Sequence, residues 1–391
     1  MGFIGEIALI LISALLAATI SVRIGLPAVI GELLAGVILG PGVLNLVTNS
    51  QLLSAGSELG VILLMFIAGV ESDLTLLKKY IKPSLLVASI GVIFPMIAFY
   101  GYGLYMNQGF ERAIFWGVIF SATSVSISVE VLREFKKLNT KEGATVLGAA
   151  VADDIMAVLL LSIFISSFGV SKEEPLPLWL STLLQVLFFV GIYVFTKWII
   201  PFLMDLAQRQ PVSHSVAISS MFLCLIMAFL ADIVGLSSVV GAFFAGVAVA
   251  QTKYKDSVAS SISSVGYTFF IPIFFISIGL EMKFDGFLNN IGFIIIMTVL
   301  AILTKLIGCG LGAKFSGMNF SSSLMIGSGM VSRGEMALII AQLGLSAKLI
   351  AENVYSEIIV VIVLTTIVAP FMLKFSIARI DDGKDEVKND N

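Results

Sequence analysis

The sequence predicts an all-α membrane protein that crosses the bilayer about thirteen times and contains two inverted repeats, each with a broken helix. Three observations indicate this fold class. Hydrophobic residues make up 58% of the 391 residues and charged residues 13%, with a mean hydropathy of +1.05, which lies outside the range of soluble domains. Apolar stretches of about 20 residues recur along the chain. Two of these stretches are also similar in sequence.

The apolar stretches define the predicted membrane spans. They cover residues 3–22, 27–47, 58–77, 83–106, 113–132, 144–168, 178–203, 213–231, 235–252, 262–281, 287–313, 321–345 and 353–378. Gly40, Pro41 and Gly42 interrupt the second span, so we expect it to end irregularly. The segment after Arg379 is short and polar, and residues 379–391 are predicted to form a disordered cytoplasmic tail.

The loop charges predict the orientation. With the N-terminus outside and the C-terminus in the cytoplasm, fourteen basic residues near the span ends face the cytoplasm and four face outward. The cytoplasmic ones are Arg23, Lys78, Lys79, Lys82, Arg133, Lys136, Lys137, Lys141, Arg209, Lys253, Lys255, Lys314, Lys374 and Arg379, and the outer ones are Arg112, Lys172, Lys283 and Lys348. This bias predicts a multi-pass protein of the cell (inner) membrane.

Asp153 and Asp154 are adjacent in the middle of the sixth span. A carboxylate at mid-membrane depth is costly and marks an ion path, a proton relay or a buried pair. Neighbouring helical residues point about 100° apart, so we expect the two aspartates to have different partners. A buried carboxylate is ionised when it binds a cation and neutral when it binds a proton. Na⁺ and H⁺ therefore compete for one group, which is the basis of antiport.

An internal repeat is visible at an offset of 210 residues. Residues 26–37 (LPAVIGELLAGV) align with 236–247 (LSSVVGAFFAGV), with six of twelve positions identical, and Gly69 aligns with Gly279. The matched segments lie in spans two and nine, and an odd displacement of seven spans gives the two copies opposite directions. Spans one to six and eight to thirteen then form an inverted repeat, with span seven as connector. This architecture is typical of secondary transporters with a site near the midplane.

The repeat also predicts where two helices break. Span five contains the hydroxyl-rich run Ser121, Thr123, Ser124, Ser126 and Ser128, and span twelve contains glycines around Arg333 and Glu335. Small and hydroxylated residues also favour close helix packing, which is the alternative interpretation. Arg333 and Glu335 are two residues apart and do not face each other on a regular helix, so a pairing requires the break. If Arg333 and Glu335 do not pair, we expect their charges to neutralise the ends of the half-helices.

Several motifs resemble the NapA-type (GerN-like) sodium/proton antiporters of the second monovalent cation:proton antiporter family. They are residues 31–41 (GELLAGVILGP), 122–125 (ATSV), 149–154 (AAVADD), Lys305 and 333–335 (RGE). The resemblance covers nearly the whole chain and implies a NhaA/NapA-like fold with crossed, broken helices, which would be spans five and twelve. It also implies a homodimer in which residues 1–82 and 213–286 form the dimerisation (panel) domain, residues 83–170 and 287–378 form the ion-transport core, and residues 171–212 form a linker helix.

The resemblance also implies roles for individual residues. Asp154 faces the ion path and Asp153 pairs with Lys305. Thr123 and Ser124, in the break of span five, are expected to supply oxygen ligands beside the two aspartates during transient Na⁺ binding. Arg333 and Glu335 are expected to compensate charge in the second broken helix. A direct ion-binding role for Glu32, in span two, is a weaker alternative to pairing or reaching the membrane surface.

The predicted function is the exchange of Na⁺ or Li⁺ for H⁺ by alternating access, electrogenic, with no cofactor and no enzymatic activity. K⁺/H⁺ exchange or K⁺ efflux is the alternative, because all three alkali cations use oxygen ligands. An intramembrane aspartyl protease is disfavoured, because its two carboxylates must converge from different helices. A passive channel does not account for a buried lysine beside the carboxylates. Nucleic-acid binding is excluded because the chain lacks a basic patch.

Overall fold

The computed structural model describes residues 2–48, 50–168, 178–282 and 290–389, and these consist of helices joined by short connections. The helices are α1 (Phe3–Arg23), α2 (Ala28–Leu39), α3 (Gln51–Glu71), α4 (Leu74–Lys79), α5 (Ile81–Tyr105), α6 (Phe110–Ser121), α7 (Ser126–Glu134), α8 (Lys141–Phe168), α9 (Leu178–Val194), α10 (Ile200–Gln208), α11 (Ser215–Ile233), α12 (Ser238–Val249), α13 (Lys255–Val265), α14 (Ile271–Leu280), α15 (Ile291–Phe315), α16 (Phe320–Gly329), α17 (Glu335–Ser346) and α18 (Glu352–Asn389). A π-helical turn joins α9 to α10 (Phe195–Ile199), and another joins α13 to α14 (Gly266–Phe270). Lys172, Lys283 and the start of the predicted linker lie outside the described residues.

The thirteen predicted spans correspond to these helices. Within the described ranges, ten helical stretches are long and apolar enough to cross a membrane, and α6 with α7 counts as one of them. The other spans are the 12-residue helices α2 and α12 and the broken pair α16–α17. A 12-residue helix rises only about 18 Å, which is less than the hydrocarbon thickness. As the sequence indicates, α2 ends at Leu39, and Gly40 begins an irregular segment.

The repeat is visible in the helix bounds and in the packing. Helix α12 starts and ends 210 residues after α2, and α15 starts and ends 210 residues after α5. Helix α2 packs on α14, and α12 packs on α3. A Cβ on Gly36 would lie 3.0 Å from the Cα of Gly279, and one on Gly246 would lie 3.0 Å from the Cα of Gly69. The four glycines are repeat equivalents, so two symmetry-related helix crossings explain why the sequence match includes them.

The two breaks lie against each other in a second group of helices. Helix α5 packs on α6, α8 and α15, and α15 packs on α16 and α18. The backbone is extended after α6 ends, at Ala122, and it is also irregular between α16 and α17. The Ser124 N–H donates to the Ser332 carbonyl at 3.0 Å, and the Ser332 hydroxyl donates to the Ser124 carbonyl. Backbone groups released by one break are thereby satisfied by the other, as buried polar groups require.

The C-terminal tail differs from the sequence prediction. Helix α18 continues to Asn389, through most of the segment predicted as a disordered tail. Extending an existing helix avoids the cost of nucleation, so a polar segment that would not start a helix can still continue one.

Candidate functional site

Asp153 and Lys305 form a buried ion pair between α8 and α15. The Lys305 Nζ donates to Asp153 Oδ1 at 2.7 Å, and the two side chains are 0% and 1% exposed, respectively. Gly91 of α5 lies beside this lysine, since a Cβ there would be 3.9 Å from the Nζ. Among the described residues, Asp153 Oδ2 has no hydrogen-bond partner. One oxygen of the carboxylate is therefore satisfied by the ammonium and the other is not.

Asp154 points into a narrow cavity instead. The cavity has an empty volume of about 340 Å³ and is lined by Asp154, Thr123, Ser126 and Glu335 together with Met65, Val125, Ala150, Val151, Val239, Val240 and Phe243. The adjacent aspartates thus have different surroundings, and Asp154 is partly exposed to this cavity whereas Asp153 is buried.

Two hydroxyls in the same cavity lack hydrogen-bond partners. Thr123 is 5% exposed and Ser126 is 1% exposed, and within the described ranges neither Oγ atom has a partner. A buried hydroxyl that no protein group pairs with is costly unless a water or an ion binds it. A carboxylate beside two hydroxyl oxygens forms a donor set suited to a hard cation such as Na⁺.

Ser124 lies in the break of span five, as predicted, and its role as a ligand stays a prediction. It does not line the Asp154 cavity, and its hydroxyl donates to Glu335 Oε2 at 3.0 Å. The hydroxyl that does reach the cavity is Ser126, which belongs to the same hydroxyl-rich run in the sequence. The sequence therefore contains the signal for a hydroxyl-rich break, but it does not show which residues of the run line the cavity with the carboxylate.

Arg333 and Glu335 have separate partners. The Arg333 Nη2 donates to the Ala301 carbonyl at 3.2 Å, and the Thr366 hydroxyl donates to the Arg333 carbonyl. Glu335 is the first residue of α17, where a negative charge is favoured by the positive end of the helix dipole. Their expected role in charge compensation stays a prediction.

A funnel with an empty volume of about 1610 Å³ leads toward this cavity. Helices α3, α11, α12 and α14 form one wall, and α8, α17 and α18 form the other. Glu58, Asp232, Glu281 and Glu335 line it, and Glu335 also lines the Asp154 cavity. Glu58 is in the first half of α3 and Asp232 is at the end of α11, so the funnel opens on the side where α1 begins.

A cluster that we call the inner latch lies toward the opposite ends of α3 and α7 and consists of Glu71, Glu130, Arg133 and Tyr267. Arg133 of α7 binds the Glu71 carboxylate of α3 through Nε at 2.7 Å and Nη2 at 3.1 Å. Its guanidinium carbon lies 4.5 Å from the centroid of the Tyr267 ring, and the Tyr267 hydroxyl donates to Glu130 at 2.5 Å. The latch joins the helix group that contains the breaks to the group that contains α3. Sequence reasoning missed it, because Arg133 reads only as a loop charge.

The fold and site define a class of protein before any comparison. An inverted repeat, two crossed breaks, and carboxylates that line a cavity inside the helices are the features of a secondary transporter.

Comparisons with known proteins agree. Residues 10–379 match the model of the family described as "Sodium/hydrogen exchanger, transmembrane". The "Na(+)/H(+) antiporter" of Enterococcus hirae is 50% identical over 379 residues, covering 96% of this chain and 98% of that protein. The "Na(+)/H(+)-K(+) antiporter GerN" of Bacillus cereus is 44% identical over 379 residues, with 97% of each covered.

A solved structure, of the sodium proton antiporter MjNhaP1 from Methanocaldococcus jannaschii, shares the fold with a TM-score of 0.71 at 19% identity and covers 97% of both chains. The chain therefore belongs to the sodium/hydrogen exchanger family, and its function is cation/proton antiport.

Proposed function

We propose that this chain exchanges Na⁺ or Li⁺ for H⁺ across the cell membrane by alternating access, with Asp154 as the shared cation and proton carrier. The observation that carries the proposal is the cavity in which the Asp154 carboxylate faces two hydroxyls without partners. These oxygens replace part of the hydration shell of a bound Na⁺. A proton on Asp154 neutralises the same carboxylate, so the two ions exclude each other.

The access change follows from the funnel and the inner latch. In the conformation described above, the funnel reaches the site from the side where α1 begins, and the latch is proposed to close the other side. Movement of the group containing α5–α8 and α15–α18 against the other helices would close the funnel and break the latch. The N-out, C-in orientation, supported by the loop charges, makes this the outward-open state.

The exchange is proposed to be electrogenic, with two protons for one Na⁺. When Na⁺ sits on ionised Asp154, Asp153 is released from Lys305. On return, Asp154 carries one proton and Lys305 carries the other, paired again with Asp153 as in the contact at 2.7 Å. Each cycle then moves one net charge.

The division into a panel domain (residues 1–82 and 213–286), a core (83–170 and 287–378) and a linker (171–212) remains part of the proposal. So does the homodimer formed through the panel. The packing supports the division, since α2 and α12 contact α14 and α3 while α5 contacts α15. Helix α1 supports the dimer with an apolar exposed face at Ile12, Leu15 and Leu16. Mass photometry in detergent tests whether the protein is a dimer. A monomer that transports at the full rate would contradict the proposal of a dimer.

K⁺ is a second candidate cation. The relative GerN, 44% identical to this chain, is named for K⁺ as well as Na⁺. Sites built from oxygen ligands select among alkali cations by cavity size and ligand number. The presence of oxygen ligands does not by itself exclude K⁺.

A gradient assay in proteoliposomes tests the function. Proton flux is followed with a pH-sensitive dye after pulses of Na⁺, Li⁺ or K⁺ at several pH values. We expect each transported cation to release protons in proportion to its gradient. Proton flux without a cation requirement would indicate a channel, and a response to K⁺ alone would support the second candidate.

A further inference from the structure

Glu335 borders two spaces at once. It lines the Asp154 cavity and also the funnel, and it is partly exposed. A cation moving from the funnel to Asp154 therefore passes beside the Glu335 carboxylate. Ser124 holds this carboxylate in place by donating to Oε2 at 3.0 Å.

Ser126 is the buried hydroxyl that faces the same cavity. It is 1% exposed, and its Oγ has no partner among the described residues. Ser128, two residues later, is equally buried and also lacks a partner within those residues, but it does not line the cavity. The contrast separates a hydroxyl that reaches the site from one that does not.

The start of α17 favours a second carboxylate at the cavity. Helix α7 begins at Ser126 and α17 begins at Glu335, so two half-helices start there. The N-terminal end of a helix carries a partial positive charge of about half an elementary charge and disfavours a cation nearby. The Glu335 carboxylate offsets this charge at the start of α17, which helps to keep the site attractive to a cation.

We propose that Glu335 and Ser126 are direct ligands of the transported cation, in addition to Asp154 and Thr123. Of the four carboxylates that line the funnel among the described residues, Glu335 is the one that also lines the Asp154 cavity, and it holds the ion jointly with Asp154. A ligand role for Glu335 differs from the charge compensation that the sequence predicts for it. The inference rests on the proposed function.

The test measures cation binding separately from turnover. The variants are Glu335→Gln, Glu335→Asp and Ser126→Ala, with Ser128→Ala as the matched control. For each we would measure the apparent KM and the maximal rate for Na⁺ in proteoliposomes. The Na⁺ concentration that gives half of the Na⁺-dependent thermal stabilisation in detergent provides a binding readout without transport.

Glu335→Gln and Ser126→Ala should each raise the apparent KM and the half-stabilising Na⁺ concentration by about tenfold, because each removes an oxygen ligand to a charged ion. Glu335→Asp should raise both values by about threefold, because the shorter side chain keeps the charge but withdraws the carboxylate from the ion, and Ser128→Ala should match the wild type within about twofold. An unchanged KM and half-stabilising concentration in Ser126→Ala and Glu335→Asp, with only a lower maximal rate in Glu335→Gln, would leave Glu335 as a charge compensator and overturn the inference.

The outcomes also separate this inference from the proposed function. If the wild type shows no cation-dependent proton flux, the proposed function fails. If the wild type exchanges and Asp154→Asn does not, while the Glu335 and Ser126 variants bind Na⁺ like the wild type, only this inference fails. If Glu335→Gln does not fold, the apparent KM and the half-stabilising Na⁺ concentration of Ser126→Ala and Glu335→Asp test the inference.

Discussion

Replacing Lys305 by glutamine should remove the voltage dependence of exchange and destabilise the protein. The ammonium and the Asp153 carboxylate are 2.7 Å apart and almost completely buried, and in the described structure Asp153 Oδ2 has no other partner. Lys305→Gln therefore leaves a buried, unpaired carboxylate. Breaking a buried ion pair by removing one partner costs about 3 to 5 kcal/mol.

The electrical effect has its own magnitude. If one net charge crosses per cycle, a potential of about 100 mV contributes about 2.3 kcal/mol. The ratio of Na⁺ concentrations at which net flux is zero therefore changes by about 40-fold. Without Lys305 the second proton has no carrier, and a one-for-one exchange is indifferent to voltage. Proteoliposomes with a K⁺ diffusion potential and a pH-sensitive dye measure the gradient at zero flux.

The control is the double variant Asp153→Asn with Lys305→Gln. It removes both charges, so its thermal stability in detergent should be higher than that of Lys305→Gln alone, while its exchange should also be insensitive to voltage. A wild-type gradient at zero flux that does not respond to the potential would refute the two-proton scheme. A double variant less stable than Lys305→Gln would refute the coupling between the two side chains.

The remaining predictions concern the carrier, a ligand and the inner latch. Asp154→Asn should abolish coupled exchange while the protein still inserts and folds, and substantial Na⁺-dependent proton flux in this variant would rule out Asp154 as the carrier. Thr123→Val should raise the apparent KM for Na⁺ by about tenfold and change the maximal rate less, because it removes one oxygen ligand. Arg133→Gln should weaken the inner latch by about 1 to 2 kcal/mol, because it loses the two bonds to Glu71. The rate of hydrogen exchange in α7 should then rise about tenfold. The control Lys253→Gln removes an exposed ion pair in which 72% of the lysine side chain is accessible, and it should leave this rate unchanged. Equal exchange rates in the two variants would contradict the latch.

Sequence alone predicted the membrane class, the thirteen spans, the repeat and two adjacent aspartates, Asp153 and Asp154, within an apolar helix. These features depend on properties that are local or periodic. Hydropathy over about 20 residues reports a crossing, because the bilayer thickness sets the length. The 100° step between helical neighbours is enough to separate Asp153 from Asp154. That Lys305 faces Asp153 came from the family resemblance, since spacing along the chain does not determine which helices meet.

Tertiary structure decided which residues surround Asp154. At a helix break the 100° rule no longer applies, and side-chain directions depend on contacts from distant parts of the chain. The hydrogen bond from the Ser124 N–H to the Ser332 carbonyl fixes the break, so the Ser124 hydroxyl reaches Glu335 and the Ser126 hydroxyl lines the Asp154 cavity. The inner latch has the same origin, because Arg133 meets Glu71 only through the packing of two helix groups.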